Sequence, residues 1–266
     1  MLRLQTALLR LTWLLLLTGG YADSAFANDI TVCIDPEPPP SAYWVRDAQN
    51  NKTDVLTGSS IELFRTVFEK LGYNAVFIGN LPWARCMKSV ELGTIQYAMD
   101  AYFDEERAKT FLYSISYQQL TPQVFFDVQR PIQAQVKADL KKYKGCGLIG
   151  FSYKHYGLAP ADMDLGVNHL EQLVTKLKAG RCDYFVEELE VISGYSMIGI
   201  NYLNDPRIVH GPVNDAIGPK KYLMAKKNST AAQLMPRIND ELSTLINAGQ
   251  AAKIFARYAN GDNIKP

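Results

Sequence analysis

Three charged side chains, Arg107, Glu187 and Glu188, have the chemistry to hold a polar solute. The arginine side chain is a planar, always charged fork of N–H donors that can hold a carboxylate with two hydrogen bonds. A carboxylate without a partner is costly inside a cleft, so a glutamate there favours a cationic ligand. We favour Glu188, but strand neighbours point to opposite faces and Glu187 remains the alternative. The simpler interpretation is that Arg107 pairs at the surface with Glu105, Glu106 or Asp104. Glu187 and Glu188 would then be a solvated pair.

Other residues could form the walls of such a site. Ser152 follows Gly150 and Phe151 at a predicted helix start, where its hydroxyl could hold a carboxylate oxygen or simply cap the helix. Trp83 follows Pro82 at another helix start, and its ring could contact a ligand or pack in the core. The remaining candidates for ligand contact are Phe151, Asp100, Tyr102 and Tyr43.

The elements that must position these residues alternate between strand-like and helix-like segments. Residues 81–114 and 178–188 each read as a helix that stops at a glycine and leads into a short apolar strand ending at polar residues. This alternation predicts parallel sheets flanked by helices, in two lobes around a cleft. Residues 124–126 and 222–224 are predicted as strands that cross between the lobes, and residues 231–258 as a helical tail.

The N-terminus has the pattern of a secretory signal peptide. Arg3 and Arg10 supply positive charge, residues 11–17 are almost entirely apolar, and Ala25-Phe26-Ala27 is a small-x-small cleavage site. We therefore expect residues 1–27 to be removed after Ala27 and the mature chain to be periplasmic. An uncut N-terminal anchor is the alternative.

Charge and cysteine content narrow the class of partner. The leader carries two of the 28 basic and one of the 27 acidic residues, which leaves 26 of each in the mature chain. No basic stripe is visible, which argues against a nucleic-acid partner. No CxxC pair is present and the chain has 3 histidines, so we predict neither a metal site nor a cofactor.

Four cysteines in an exported chain indicate disulfides, and three pairings are open. Cys146 and Cys182 each precede an apolar strand, and neighbouring parallel strands would bring those starting ends together. We therefore favour Cys146–Cys182 and Cys33–Cys86, with one bridge in each lobe.

The whole pattern resembles the family 3 extracellular solute-binding proteins, which include periplasmic amino-acid binders of ABC transporters. The resemblance spans nearly all of the chain after the leader and rests on Leu81-Pro82-Trp83-Ala84-Arg85-Cys86, Tyr97-Ala98-Met99-Asp100, Glu105-Glu106-Arg107 and residues 178–188. It implies a two-lobed α/β fold of the type II periplasmic-binding-protein kind, with mainly parallel sheets flanked by helices and two crossover strands as a hinge. The expected lobes are residues 28–117 plus 218–266 and residues 118–217.

The resemblance also implies roles for the site residues. Arg107 would hold the ligand carboxylate, Ser152 would bind its other oxygen, and Glu188 would meet an ammonium group. The sequence departs from the family pattern at Asp100-Ala101-Tyr102, where a serine-rich turn is common, and at Pro38, where an aromatic residue is common. These departures favour a larger or more cationic amine-bearing ligand than a standard amino acid.

The expected function is capture of a small polar amine-bearing solute, an amino acid or a related compound, by closure of a hinge. A monomer would then deliver it to an inner-membrane ABC permease and would carry out no reaction. One alternative is a dehydratase-like enzyme on the same scaffold, with Glu188 as the general acid. Another is a ligand sensor that presents its closed form to a membrane receptor.

Overall fold

The computed structural model of the protein describes residues 29–35 and 39–259. The predicted leader, its cleavage after Ala27 and the departure at Pro38 lie outside these ranges. Among the described residues, none of the helices combines the length and the apolar character needed to cross a membrane.

Strands and helices alternate along most of the described chain. The strands are β1 (Asp29–Cys33), β2 (Tyr43–Arg46), β3 (Lys52–Thr57), β4 (Asn74–Ile78), β5 (Tyr97–Tyr102), β6 (Phe111–Tyr113), β7 (Gln118–Gln119), β8 (Pro122–Asp127), β9 (Gly145–Leu148), β10 (Met163–Val167), β11 (Tyr184–Glu188), β12 (Ile208–Pro212) and β13 (Lys220–Lys226). The α-helices are α1 (Ser59–Lys70), α2 (Trp83–Leu92), α3 (Arg107–Thr110), α4 (Lys137–Leu140), α5 (Leu170–Lys178), α6 (Leu189–Gly194), α7 (Thr230–Asn247) and α8 (Gln250–Ala259).

The first sheet has the order β4-β1-β5-β13-β6, and β7 also pairs with β13. β1 is parallel to β4 and β5, whereas β13, from late in the chain, is antiparallel to β5. α1 buries Phe64 and Phe68 against this sheet, and the C-terminal helices α7 and α8 pack on α1. We call this part the first lobe, and β5 carries Asp100 and Tyr102 near its carboxyl end.

The second sheet has the order β10-β9-β11-β8-β12. β9 is parallel to β10 and β11, while β8 is antiparallel to β11 and β12. α5 packs Leu173 and Leu177 into the core of this part, which we call the second lobe. The two glutamates, Glu187 and Glu188, end β11, one of its central strands.

Two antiparallel segments connect the lobes. Gln118 and Gln119 pair with Lys221 and Lys220, and the N–H of Leu120 donates to the carbonyl of Pro219 at 3.0 Å. The predicted crossing strands are therefore displaced, because residues 124–126 lie wholly within the second sheet and residues 222–224 within the first. Val124 and Phe125 are buried in the second sheet, and Leu223 and Met224 in the first. The crossings therefore fall on the shorter polar segments beside these runs.

The predicted disulfide pairing is confirmed. Cys33 and Cys86 join β1 to α2 in the first lobe, with Cα atoms 5.7 Å apart. Cys146 and Cys182 are 5.8 Å apart between Cα atoms. The parallel pairing of β9 with β11 places Cys146 opposite Phe185, which brings the start of one strand beside the start of the other, as expected.

Candidate functional site

The two lobes face each other across a cleft of about 760 Å³ of empty space, including its open mouth. Six of the eight predicted contact residues line it, namely Trp83, Asp100, Tyr102, Arg107, Phe151 and Ser152. Glu188 and Tyr43 do not line it, whereas Glu187 does. The other lining residues are Ile34, Asp35, Met99, Leu148, Asn168, His169, Leu170, Val191, Tyr195 and Lys221.

Arg107 is the first residue of the short helix α3, the next helix after β5, and its side chain reaches across the cleft. Its Nη2 donates to the carbonyl oxygen of Gly150 in the second lobe at 2.9 Å. Two of the three acids proposed as its surface partners pair with lysines instead, Glu106 with Lys109 at 2.5 Å and Asp104 with Lys154 at 2.6 Å. Within the described residues Arg107 forms no ion pair, so its charge faces the cleft with a carbonyl as its partner.

Ser152 lies in a loop after β9, and no α-helix begins there, which corrects the prediction. A single 3-10 turn, Lys154–Tyr156, follows and ends at Gly157, whose φ is 71°. The loop is held from inside, because the hydroxyl of Tyr153 accepts a hydrogen bond from the N–H of Leu148 at 2.7 Å. Ser152 therefore lines the cleft without the N-terminus of an α-helix behind it.

Gly150 brings the backbone of the second lobe close to the first. Its φ of 82° lies in the left-handed region that favours glycine. A Cβ atom at this position would lie 3.4 Å from the Cβ of Ala84 in α2. The close approach is what lets the Gly150 carbonyl meet Arg107.

Asp100 has its hydrogen-bond capacity filled from within the first lobe. Its Oδ1 accepts from the hydroxyls of Ser60 and Tyr117, each at 2.7 Å. Its Oδ2 lies 3.3 Å from Nζ of Lys221, which also donates to the hydroxyl of Ser41. Asp100 and Lys221 are both buried, with 7% and 3% of their side chains exposed, so they form a matched ion pair in the cleft wall.

The carboxylate of Glu188 also forms its hydrogen bonds with other residues of the protein. Its Oε2 accepts from the hydroxyl of Tyr102 at 2.7 Å, and its Oε1 lies 2.8 Å from Nε2 of His155 and 3.4 Å from the hydroxyl of Tyr156. Burial by itself raises the pKa of Glu188, but hydrogen bonds from Glu187, His155 and Tyr102 outweigh it and lower the pKa to well below its usual range. Glu188 is therefore a buried carboxylate surrounded by donors.

Glu187 has the opposite electrostatic setting. It is 5% exposed, lines the cleft, and accepts from the N–H of Glu188 at 3.1 Å. Burial, and next the negative charge of Glu188, raise the pKa of Glu187 well above its usual range. Of the two adjacent acids, Glu187 is therefore the one whose surroundings favour the protonated form.

The predicted aromatic walls are only partly where the sequence placed them. Trp83 lines the cleft and also packs in the cluster around the Cys33–Cys86 bridge, so both interpretations of this residue hold. Phe151 and Tyr195 add aromatic surface from the second lobe. Tyr43 instead lies in the β2–β3 hairpin and packs in the first-lobe core, where burial raises its pKa to about 12.

Three contacts between the lobes show that the cleft is closed over its interior. They are Arg107 to the Gly150 carbonyl, Tyr102 to Glu188, and the Asp104–Lys154 ion pair. The ring of Tyr102 also meets the ring of His155 edge-on, with centroids 5.8 Å apart. Tyr102 therefore lines the cleft and bridges the lobes.

Lys221 is the main site residue that the sequence analysis missed. In β13 the residues Lys221, Leu223 and Ala225 alternate on one face and are all buried. A lysine at an inward position of such an alternation is the signal that could have revealed it. Among the described residues, no group of three or more His, Cys, Asp or Glu side chains is placed to hold a metal ion.

These features define a two-lobed solute-binding protein with a closed interlobe cleft. The sequence profile of the bacterial extracellular solute-binding proteins, family 3, matches residues 30–261. The chain belongs to this family. No curated protein shows a significant sequence match to it.

Solved structures confirm the fold. The amino acid ABC transporter substrate-binding protein AbpA from Streptococcus pneumoniae, bound to L-arginine, is 20% identical with a TM-score of 0.70, over 89% of this chain and 97% of that one. The arginine-, lysine-, histidine-binding protein ArtJ from Geobacillus stearothermophilus is 16% identical with a TM-score of 0.69, over 87% and 95%. The ancestral amino acid-binding protein AncCDT-1, a precursor of cyclohexadienyl dehydratase, is 16% identical with a TM-score of 0.66, over 86% and 95%.

Proposed function

We propose that this protein captures a small solute that carries both a carboxylate and an amino group, an amino acid or a related compound, in the periplasm. The observation that carries the proposal is the guanidinium of Arg107, which lines the closed cleft and has no carboxylate partner among the described residues. Such a group matches a solute carboxylate with two charge-assisted hydrogen bonds. Ser152 lies in the same wall and would bind the second oxygen.

The amino group of the solute is expected to meet Glu187 rather than Glu188. The argument for a strongly cationic solute weakens, because Asp100 is paired with Lys221 and Glu188 with Tyr102 and His155. Glu187 is the glutamate of the pair that lines the cleft. The aromatic ring of Trp83 would cover the apolar part of the solute.

Delivery to an ABC permease is the expected next step. Several structures with the same fold are named as substrate-binding proteins of amino acid ABC transporters, which supports this partner class. We propose residues 28–117 plus 218–266 and residues 118–217 as the two lobes, and a monomer as the functional unit. A sensor that presents the closed form to a receptor would use the same cleft.

A thermal-shift screen followed by calorimetry tests the proposal. The screen uses the twenty L-amino acids, putrescine and spermidine, and a bound ligand raises stability by about 2.7 kcal/mol at 100 times its dissociation constant. For the best binder, Arg107→Ala should weaken affinity by about 10- to 100-fold, the value of a charge-assisted hydrogen bond. Arg85→Ala, an exposed arginine of α2, is the control and should bind normally. No binding by any amino acid or amine would refute the proposal.

One observation favours an enzymatic second candidate. A general acid requires a buried glutamate with a raised pKa in a cleft, and the glutamate with these features is Glu187 rather than the expected Glu188. The test is turnover of prephenate, a cyclic acid that loses water and carbon dioxide. Turnover that Glu187→Gln abolishes would favour the enzyme, and the absence of turnover beside tight amino-acid binding would reject it.

A further inference from the structure

Glu187 and Glu188 are adjacent buried acids at the end of β11, and their surroundings are unequal. Glu188 is 2% exposed and, besides Glu187, has three side-chain partners, Tyr102, His155 and Tyr156, within 2.7 to 3.4 Å. Glu187 is 5% exposed, and its hydrogen bond from a described backbone group is the one from the N–H of Glu188. The donors therefore converge on one carboxyl and leave the other facing the cleft.

The charged groups around Glu187 and Glu188 also make the surroundings of the two acids unequal. Lys221 attracts Glu187, but its ammonium already pairs with Asp100 at 3.3 Å. Arg107 lies across the cleft against the Gly150 carbonyl and is assigned to the solute carboxylate. Two carboxylates side by side in a buried site cannot both be charged without matching cations. The titratable and charged groups that face the pair or line the same cleft are Tyr102, Tyr153, Tyr156, Tyr195, His155, His169, Asp35, Asp100, Arg107 and Lys221.

We propose that Glu187, assigned above to the amino group of the solute, enters the binding reaction carrying a proton, which it releases to solvent when an ammonium group binds. This inference rests on the proposed function, because it needs an amine-bearing solute in the cleft. The Glu187 carboxyl loses its O–H proton, the carboxylate accepts a hydrogen bond from the solute ammonium, and water or buffer takes the proton. The ammonium supplies the positive charge that the apo site lacks beside Glu187.

The arrangement makes affinity depend on pH in a defined direction. Where free Glu187 is protonated, each binding event frees one proton, so affinity for an amino acid rises with pH by up to about tenfold per pH unit. The corresponding 2-hydroxy acid has no ammonium and can accept a hydrogen bond from the protonated carboxyl instead. Its binding should therefore release no proton.

The first measurement needs no solute. Difference infrared spectra of the full mature protein should show the C=O stretch of a protonated carboxyl at neutral pH, and Glu187→Gln should remove it. Glu171→Gln changes an exposed glutamate on α5 and should leave the band unchanged. Absence of the band, or its persistence in Glu187→Gln, would overturn the proton assignment.

The second measurement counts protons. Calorimetry in buffers of different ionisation enthalpy uses the best of the twenty L-amino acids from the screen and its 2-hydroxy counterpart. We expect about one proton released with the amino acid, none in Glu187→Gln, and at least tenfold weaker amino-acid binding by that variant. Amino-acid binding without proton release, or with full affinity in Glu187→Gln, overturns this inference and leaves the proposed function intact. If no amino acid binds, the proposed function fails and this inference fails with it, while the infrared band still reports where the proton lies.

Discussion

The two walls of the cleft each bury acidic side chains, but they balance the charge in different ways. In the first-lobe wall, Asp100 is paired with Lys221 and receives hydrogen bonds from Ser60 and Tyr117. In the second-lobe wall, Glu187 lies beside another acid, Glu188, and keeps a proton. The acidic charge is balanced by a lysine in the first-lobe wall and by a proton in the second-lobe wall.

This difference in charge balance indicates which wall can change its charge when a ligand binds. In a buried ion pair each charge is already neutralised by its partner, so the charge of a ligand adds little further stabilisation. A protonated acid beside the cleft can lose its proton when a cation arrives. We therefore expect the first-lobe wall to act as a fixed scaffold and the second-lobe wall to carry the chemical response.

The largest expected effect comes from disrupting the ion pair in the first-lobe wall. Lys221→Met removes the cation and leaves Asp100 buried without it, which should lower the free energy of unfolding by about 3–5 kcal/mol. Urea denaturation followed by tryptophan fluorescence measures the change. Lys220→Met, at the exposed neighbour on β13, is the matched control and should cost less than about 0.5 kcal/mol.

Adding Asp100→Asn to Lys221→Met sharpens this test. Asp100 has a φ of 62°, a conformation that asparagine also tolerates, so the backbone should be kept. Removing both charges should restore part of the lost stability, giving a coupling energy of about 1–3 kcal/mol. A double variant as unstable as the sum of the single ones would contradict the matched-pair description.

The same contrast separates what the sequence could predict from what it could not. The two sheets follow from alternating apolar segments and glycine stops, and the Cys146–Cys182 bridge follows from two strands that start side by side. Arg107 and Trp83 reach the cleft because residues that directly follow strands or open helices are placed by the fold itself. These features depend on local patterns along the chain, which can be recognised in the sequence.

The residues that the sequence placed wrongly or left open depend on partners distant in the chain. The carboxylate of Glu188 accepts a hydrogen bond from Tyr102, which is 86 residues earlier, and no local pattern shows this. The alternation of β13 could show that Lys221 is buried, but no local pattern shows that its partner is Asp100, 121 residues away. The helix expected at Ser152 fails because Tyr153 binds back to Leu148.

The prediction of intermediate size concerns how the stability of the protein depends on pH through Glu187 in the second-lobe wall. The folded protein holds a proton on Glu187 where the unfolded chain has released it, so stability falls as pH rises from the usual glutamate pKa to the raised one, by at most about 1.4 kcal/mol per pH unit. Glu188 acts oppositely, because its lowered pKa adds stability that is lost only as pH falls into the acid range. Glu187→Gln should flatten the fall measured by urea unfolding from about pH 5 to pH 8.

The control for this pH profile is Glu171→Gln, whose side chain is exposed and whose curve should run parallel to that of the unmodified protein. A Glu187→Gln curve that keeps the original slope would show that Glu187 is ionised in the folded state. The two walls would then balance charge in the same way, and the contrast between them would be lost.

The smallest expected effect concerns Tyr102, the residue of the first wall that donates to the second. Burial, followed by the charge of Glu188, raises the pKa of Tyr102 well above its usual value, so its hydroxyl stays protonated and donates at 2.7 Å. Tyr102→Phe removes a hydrogen bond that joins the lobes, at a cost of about 1 kcal/mol or roughly fivefold in amino-acid affinity.

Tyr222→Phe is the matched control for Tyr102→Phe, because the Tyr222 ring packs on Phe103 and Tyr113 outside the cleft lining. Small-angle X-ray scattering of the unliganded protein should show a larger radius of gyration for Tyr102→Phe and no change for Tyr222→Phe. Equal behaviour of the two variants would mean that the Tyr102–Glu188 contact does not favour closure. If Tyr102→Phe alone opens the protein, the carboxylate held ionised in the second wall contributes to closing the cleft, while its protonated neighbour remains free to meet the solute.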